Sequence, residues 1–400
     1  MLNTDKLTVS VGVRDISASR AVLLGRFLAP EMRALVTSGE NIKLHRCISA
    51  EAELCLSQLW NGQHMGDIRH VASELIAVAD DLGDWELRQR CARAEEEVKL
   101  NPKHRAWFDR IMLLGFQFFR LWQQCILFFH GFRWFSLATP LGRMRCYVAE
   151  GKGTLPPVIL LHGFGAMVPD YTELMVRLRP HVKQVLAFDM AGHGMSEPLP
   201  LTSLSRDLFE QSTWNATMFL LSRCKEKPVL FGNSLGGLAA LRLASKDPDR
   251  YRALFLASPA GARVSKDDYL EMVHTFKLEG IGDARVMIER LRSRRSGMDT
   301  MFTMGVGPVL RRPFQRAMID MMDHEAFYCG DEIATLPMPI TCFWPQDERI
   351  LAPAHLVFLK SHLPKHTKYD ERAGFGHFPV ADDPDEFARI VVEFLRGLPV

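Results

Sequence analysis

A serine held between two glycines, with an apolar run before it and a helical pattern after it, leaves a chain few folds to choose from. Residues 230–239 read Leu-Phe-Gly-Asn-Ser-Leu-Gly-Gly-Leu-Ala. Within them Gly232-Asn233-Ser234-Leu235-Gly236 is a Gly-x-Ser-x-Gly pentapeptide. It follows the apolar run Pro228 to Phe231 and opens an apolar-periodic segment ending near Lys246. That context predicts a strand, a sharp turn and a helix. A serine on such a turn stands clear of the sheet, and glycines on both sides let the backbones approach. The helix opening at Leu235 aims its first N–H groups at negative charge developing nearby. Ser234 is therefore a candidate nucleophile.

Partners for that serine can be sought on both sides. Downstream, Pro339-Ile-Thr-Cys-Phe-Trp-Pro-Gln-Asp347 is an apolar strand running into a turn that carries a carboxylate, with Glu348 next to it. Farther on, Gly374-Phe-Gly-His377-Phe-Pro places a histidine on a glycine-rich loop just before a C-terminal helix at about 384–396. Upstream, Pro157-Val-Ile-Leu-Leu-His162-Gly-Phe-Gly165 is a buried strand entering a glycine turn.

These motifs, with Phe188-Asp-Met-Ala-Gly-His-Gly-Met-Ser196, make residues from about 132 to 400 resemble the α/β-hydrolase fold family. The resemblance implies a mostly parallel eight-stranded sheet flanked by helices, and a nucleophile, acid and histidine in that chain order. It implies that Ser234 attacks a carbonyl carbon. His377 takes its proton and later returns one to the leaving group. Asp347 fixes the imidazole tautomer. Backbone N–H groups of Phe164 and Leu235 would hold the oxyanion. Asp347 is preferred as the acid over Glu348, with Asp267 and Asp268 the next candidates. His162 and His193 read as structural. Asn233 reads either as a turn residue or as one that shapes the pocket. No metal or cofactor is implied.

Composition bounds the rest. The chain has 400 residues, 47% hydrophobic and 24% charged, with a net charge of +2. That charge gives no general attraction to nucleic acid. Eight cysteines (47, 55, 91, 125, 146, 224, 329, 342) contain no Cys-x-x-Cys pair. This argues against a zinc site or a disulfide framework and suits a reducing, cytoplasmic setting. The opening Met-Leu-Asn-Thr-Asp-Lys does not read as a signal peptide. The sequon Asn215-Ala-Thr217 falls in a predicted helix and reads as chance.

Strands are expected near 132–137, 143–149, 157–162, 184–189, 228–233, 252–258, 339–344 and 367–372. Helical patterns separate the later ones, as in a parallel sheet covered on both faces. Residues 263–334 interrupt this alternation with helices expected at 266–279, 282–295 and 313–324. The resemblance makes this segment a cap over Ser234. It is rich in methionine (272, 287, 298, 301, 304, 318, 321, 322), which suits either an adaptable apolar pocket or core packing. It also carries Arg290, Arg292, Arg294, Arg295, Arg311, Arg312 and Arg316, read as a solvated basic face or as a contact with an anionic head group.

The first 131 residues carry no catalytic motif. Helices are expected there at about 19–37, 49–61, 67–80, 84–100 and 104–130. From Ile111 to Phe135 the chain is dominated by Phe, Leu, Trp and Ile, but Arg120 splits the apolar run into stretches of nine. That is short of the roughly 20 residues needed to span a bilayer. Either burial against other helices or a peripheral membrane contact through 111–135 would use this face.

The reaction follows from the nucleophile. Dehalogenases and epoxide hydrolases of the family use an aspartate where Ser234 stands, which sets them aside. Gly-Asn-Ser-x-Gly-Gly resembles the elbow of enzymes that hydrolyse carbon–carbon bonds in ring-cleavage products, yet those carry a tryptophan after the histidine and here it is Phe378. The expectation is a serine hydrolase acting on an ester or thioester of an apolar acyl group through an acyl-enzyme. Its partner is then a small apolar ester or acyl substrate. Acyl transfer uses the same intermediate. A hydrolase-fold binding scaffold is the non-enzymatic alternative, and the oligomeric state stays open.

Overall fold

In the computed structural model, residues 8–11, 14–17, 102–278, 280–321 and 329–399 are described. The chain divides into two compact units, Met1–Arg110 and Ile111–Val400. In the first, Thr8–Val11 and Arg14–Ser17 form an antiparallel pair in which Val9 faces Ile16. The helices expected between 19 and 100 lie outside the described residues. Helix α1 (Pro102–Phe129) crosses the division. It stops at Gly131, whose φ of +77° closes the C-terminus, with Phe132 N–H donating to Leu127 O at 2.9 Å.

The second unit is built on an eight-stranded sheet. Its strands are β1 (Arg133–Thr139), β2 (Gly142–Glu150), β3 (Val158–Leu161), β4 (Gln184–Phe188), β5 (Val229–Asn233), β6 (Ala253–Ala257), β7 (Ile340–Pro345) and β8 (Lys368–Arg372). Every expected strand is present within two residues at either end. The order across the sheet is β1-β2-β4-β3-β5-β6-β7-β8. β1 and β2 join antiparallel, as do β2 and β4, and the remaining pairs are parallel. Strands β3 to β7 are buried along their whole length, so they read as continuous apolar runs.

Their side chains alternate between two cores. On one face Phe231 stacks on Phe255 at 5.7 Å, and Phe255 on Phe343 at 6.4 Å. Phe387 of the C-terminal helix α10 (Pro384–Arg396) closes over them, 5.2 Å from Phe343. Each fully buried ring contributes about 1.5–3 kcal/mol. On the other face Leu230, Leu254 and Cys342 pack with α3 (Arg206–Leu221) and α4 (Leu235–Lys246). The connections bring α2 (Thr172–Leu178) onto the face that carries α10.

Between β6 and β7 stand four helices, α5 (Lys266–Phe276), α6 (Ile281–Leu291), α7 (Asp299–Leu310) and α8 (Pro313–Met321). α9 (Pro353–His362) follows β7. The helix α7 was not expected: Gly305, Gly307 and Pro308 are poor helix formers and mask it. One of these glycines has a packing reason. A Cβ on Gly305 would sit 2.1 Å from the Phe116 ring of α1, so only glycine lets the two helices approach. Phe116 and Phe119 both meet Phe302 of α7 edge-on. The other side of α1 exposes Leu114, Phe118, Leu121, Trp122 and Phe128. No helix among the described residues is long and apolar enough to cross a membrane.

The turn after β4 is held by buried polar groups. Asp189 accepts N–H bonds from Val168 at 2.7 Å and Met195 at 3.0 Å. His162 accepts the Met190 N–H at Nε2 and bonds Gly163 O through Nδ1, which fits a neutral ring. His193 lies beside it, ring centres 5.3 Å apart. Burial holds the His162 imidazole down at about 3 and the His193 imidazole at about 4. An unfolded histidine protonates near 6.5. Between these values the unfolded chain binds a proton at His193 that the folded chain does not. The stability from this group is full above about 6.5 and is lost as the pH falls toward 4. His193→Asn is expected to make the acid limb of the stability curve shallower by about 1.4 kcal/mol per pH unit over that window, read by urea unfolding. An unchanged slope would contradict a neutral, buried His193.

Candidate active site

Ser234 stands at the junction of β5 and α4 with φ +54° and ψ −116°, a region that a residue with a Cβ adopts only under strain of about 1–3 kcal/mol. The surroundings hold it there. Its N–H donates to Ala257 O at 3.0 Å, and its carbonyl accepts from Gly237, Leu238 and Ala260. Glycines make the turn feasible: a Cβ on Gly232 would lie 2.3 Å from Gly236 O, and one on Gly236 would lie 2.1 Å from Leu161 O. The Gly-x-Ser-x-Gly spacing is thus imposed by backbone approach.

His377 and Ser234 line the same cavity. The His377 ring is buried and its Nδ1 lies 2.8 Å from Glu348 Oε2 and 2.9 Å from Oε1. Nδ1 therefore carries the proton and Nε2 is left as the acceptor. No hydrogen bond joins Ser234 Oγ to this ring; catalytic hydrogen bonds of this kind commonly tighten only in the substrate complex.

The expected acid, Asp347, is not the partner. Its Oδ2 accepts the Ser293 hydroxyl at 2.7 Å, on the loop after α6. Glu348, one residue farther round the turn, is directed inward because Oε1 caps the N–H groups of Ile350 at 2.8 Å and Leu351 at 3.0 Å. The acid reading moves from Asp347 to Glu348 on this geometry. Burial pushes the Glu348 carboxyl up, but the attraction of His377 and the N–H bond from Leu351 outweigh it and hold the group below the ordinary range. Asp268 is engaged at the start of α5, where its Oδ2 accepts the Ser265 hydroxyl at 2.7 Å, and Asp267 is exposed beside it.

The N–H groups of Phe164 and Leu235 have no hydrogen-bond partner among the described residues. Leu235 opens α4, whose first N–H groups are unsatisfied within the helix. Tyr171 and Asn233 tie these parts together. The Tyr171 hydroxyl accepts the Gly163 N–H at 3.1 Å and donates to Asn233 Oδ1 at 2.8 Å. Asn233 Nδ2 donates to Ala257 O at 3.0 Å and His377 O at 3.1 Å. One amide thereby joins the glycine turn, the elbow and the histidine loop. Sequence reading had Asn233 without a definite role and did not find Tyr171.

The cavity measures about 390 Å³ and is walled mostly by apolar side chains, among them Phe119, Phe164, Phe276, Ile288, Phe302 and Phe378. The methionines divide. Met287 and Met298 line the cavity, whereas Met272 and Met318 are packed in the core. Three arginines of the segment between β6 and β7 face carboxylates: Arg290 with Glu271 at 3.2 Å, Arg292 with Asp299 at 2.9 Å, Arg295 with Glu289 at 3.3 Å. Helix α1 also reaches the cavity through Phe116, Phe119, Arg120 and Gln123, a contribution no motif announced.

Comparison with known proteins gives the family. The model of the alpha/beta hydrolase family matches residues 158–390. A pimeloyl-[acyl-carrier protein] methyl ester esterase of Neisseria meningitidis is 32% identical over 257 residues, covering 60% of this chain and 94% of its own. The structure is similar to that of carboxylesterase CesB from Bacillus subtilis, with a TM-score of 0.57, 18% identity, and coverage of 72% of this chain and 99% of that one. It is also similar to a meta-cleavage product hydrolase from Pseudomonas fluorescens, with a TM-score of 0.56, 22% identity, and coverage of 66% and 97%.

The pairing of His377 can be tested by charge removal. Glu348→Gln is expected to lower kcat/KM on an activated ester by about 10⁴-fold, as losing the group that fixes the tautomer does elsewhere. Asp347→Asn should change it less than tenfold. The reverse ranking would return the acid to Asp347.

Proposed function

Because the chain belongs to the alpha/beta hydrolase family, and is a hydrolase, we propose that it cleaves a carboxylic ester of an apolar acyl group through an acyl-enzyme on Ser234. The observation that carries this reading is the buried His377–Glu348 pair beside a strained serine on the wall of an apolar cavity. The ester named for the Neisseria relative supports the bond type.

The chemistry is derived from these groups. Ser234 Oγ attacks the carbonyl carbon as His377 Nε2 takes its proton. The negative charge on the carbonyl oxygen falls between the N–H groups of Phe164 and Leu235. Glu348 stabilises the imidazolium formed. Collapse of the adduct expels the alcohol, which leaves with the proton from Nε2. Water then gives a proton to Nε2 and attacks the acyl carbon, and as the second adduct breaks its bond to Oγ, Nε2 returns the proton to Ser234 and the acid is freed. A second alcohol or thiol in place of that water would make the same enzyme an acyltransferase. The acyl chain would lie among Phe276, Met287, Ile288 and Phe302.

A peripheral contact with a membrane through residues 111–135 belongs to the same proposal. Its support is the exposed row Leu114, Phe118, Leu121, Trp122 and Phe128 on α1, of a kind that lies at a headgroup boundary.

A p-nitrophenyl ester panel of increasing acyl length tests the reading. Turnover should rise from acetate to medium chains as apolar contact accumulates, at about 0.8 kcal/mol per buried methylene. Ser234→Ala should lower kcat by about 10⁶-fold. Turnover retained in Ser234→Ala, or acetate as the fastest substrate, would count against it.

A further inference from the structure

The wall of the cavity supplied by α1 contains two polar groups that its own structure does not satisfy. Gln123 is 7% exposed and lines the cavity. Its side-chain amide makes no hydrogen bond to any described residue, and its Oε1 is fully buried without a partner. Arg120 lies one helical turn away. Its guanidinium stacks 4.4 Å above the Phe116 ring and approaches Asp170 Oδ2 only to 3.6 Å. Its Nε is buried and unpartnered. Buried polar groups are nearly always hydrogen-bonded, because an orphan loses its water partners and gains none. A leucine would pack at position 123 without that cost, and the amide finds no partner among the described residues, which leaves it to pair with a group entering the cavity.

The charges around it state what kind of partner fits. Each charged side chain on this cavity has an opposite one beside it: Arg120 with Asp170, Glu173 with Arg177, and Arg292 with Asp299. A carboxylate or phosphate entering here would meet Asp170 and Glu173 with no spare cation. An ammonium would meet Arg120 and Arg292. A neutral group that both donates and accepts would pair with the Gln123 amide and the Arg120 Nε–H and leave the balance intact.

Resting on the ester-hydrolase reading, we propose that Gln123 and Arg120 form a polar subsite for a neutral hydroxyl or amide carried by the substrate, remote from the ester carbonyl. The substrate class is then an ester whose apolar portion ends in such a group. Neither residue takes part in bond breaking. They select, because a site built to hydrogen-bond a group discriminates against an analogue that lacks it.

The test uses the full chain and p-nitrophenyl esters whose acyl ends are methyl, hydroxyl, primary amide or carboxylate, at chain lengths bracketing the fastest unsubstituted one. The hydroxyl or the amide series should exceed the methyl series in kcat/KM by about tenfold or more at one length, with the carboxylate series lowest. Which of the two leads identifies the group. In Gln123→Leu and Gln123→Met, the second keeping an unbranched chain of similar length, that ratio should fall to about one. A methyl or carboxylate series that is fastest in the wild type, or a ratio that survives both substitutions, would overturn the subsite while leaving ester hydrolysis intact. No turnover of any series, with Ser234 inert to an active-serine probe, would overturn both.

Discussion

Everything in this site depends on one residue being held where a side chain is uncomfortable. Ser234 carries φ +54° at the sharp turn that joins β5 to α4. The strain is offset by the packing it permits. Gly232 and Gly236 let α4 approach β5 and β3 more closely than a Cβ would allow, and the Ser234 carbonyl collects three backbone N–H groups. The same turn that exposes the hydroxyl also leaves the Leu235 N–H free beside it. Position and electrostatics thus come from one backbone feature.

A second constraint keeps the other parts in register with that turn. Asn233 precedes Ser234, and its amide reaches the carbonyls of Ala257 and His377 while accepting from Tyr171. Tyr171 in turn fixes Gly163, next to Phe164. Three segments far apart in sequence are therefore joined through two buried side chains. The segment between β6 and β7 is joined to the same network. Phe378 N–H donates to Leu291 O, the Ser293 N–H donates to Asp382, and Asp347 binds the Ser293 hydroxyl. The residue first assigned to the imidazole instead anchors the loop that follows α6.

Much of this was legible in the sequence, and the exceptions have physical causes. Strands β3 to β7 could be read because buried strands are short apolar runs, and the partly exposed β1, β2 and β8 because apolar and polar residues mix within short segments. Ser234 and His377 could be located because their turns require glycine. The acid could not, since Asp347 and Glu348 are adjacent in a turn with no period to say which faces inward. The deciding factor was capping of Ile350 and Leu351 by Glu348, a contact within the loop. Helix α7 was hidden by Gly305, Gly307 and Pro308, and of these Gly305 answers to the bulk of Phe116 on α1. Residues such as Gln123 and Arg120 look like interruptions of an apolar helix until the cavity is seen beside them.

The central claim is that the fold activates one serine. Its most direct measurement is treatment of the native protein with a fluorophosphonate, followed by peptide mass spectrometry to locate the adduct. The account predicts a single stoichiometric adduct on Ser234, formed by folded protein and lost on denaturation. An adduct on another residue, or none on well-folded protein, would contradict it.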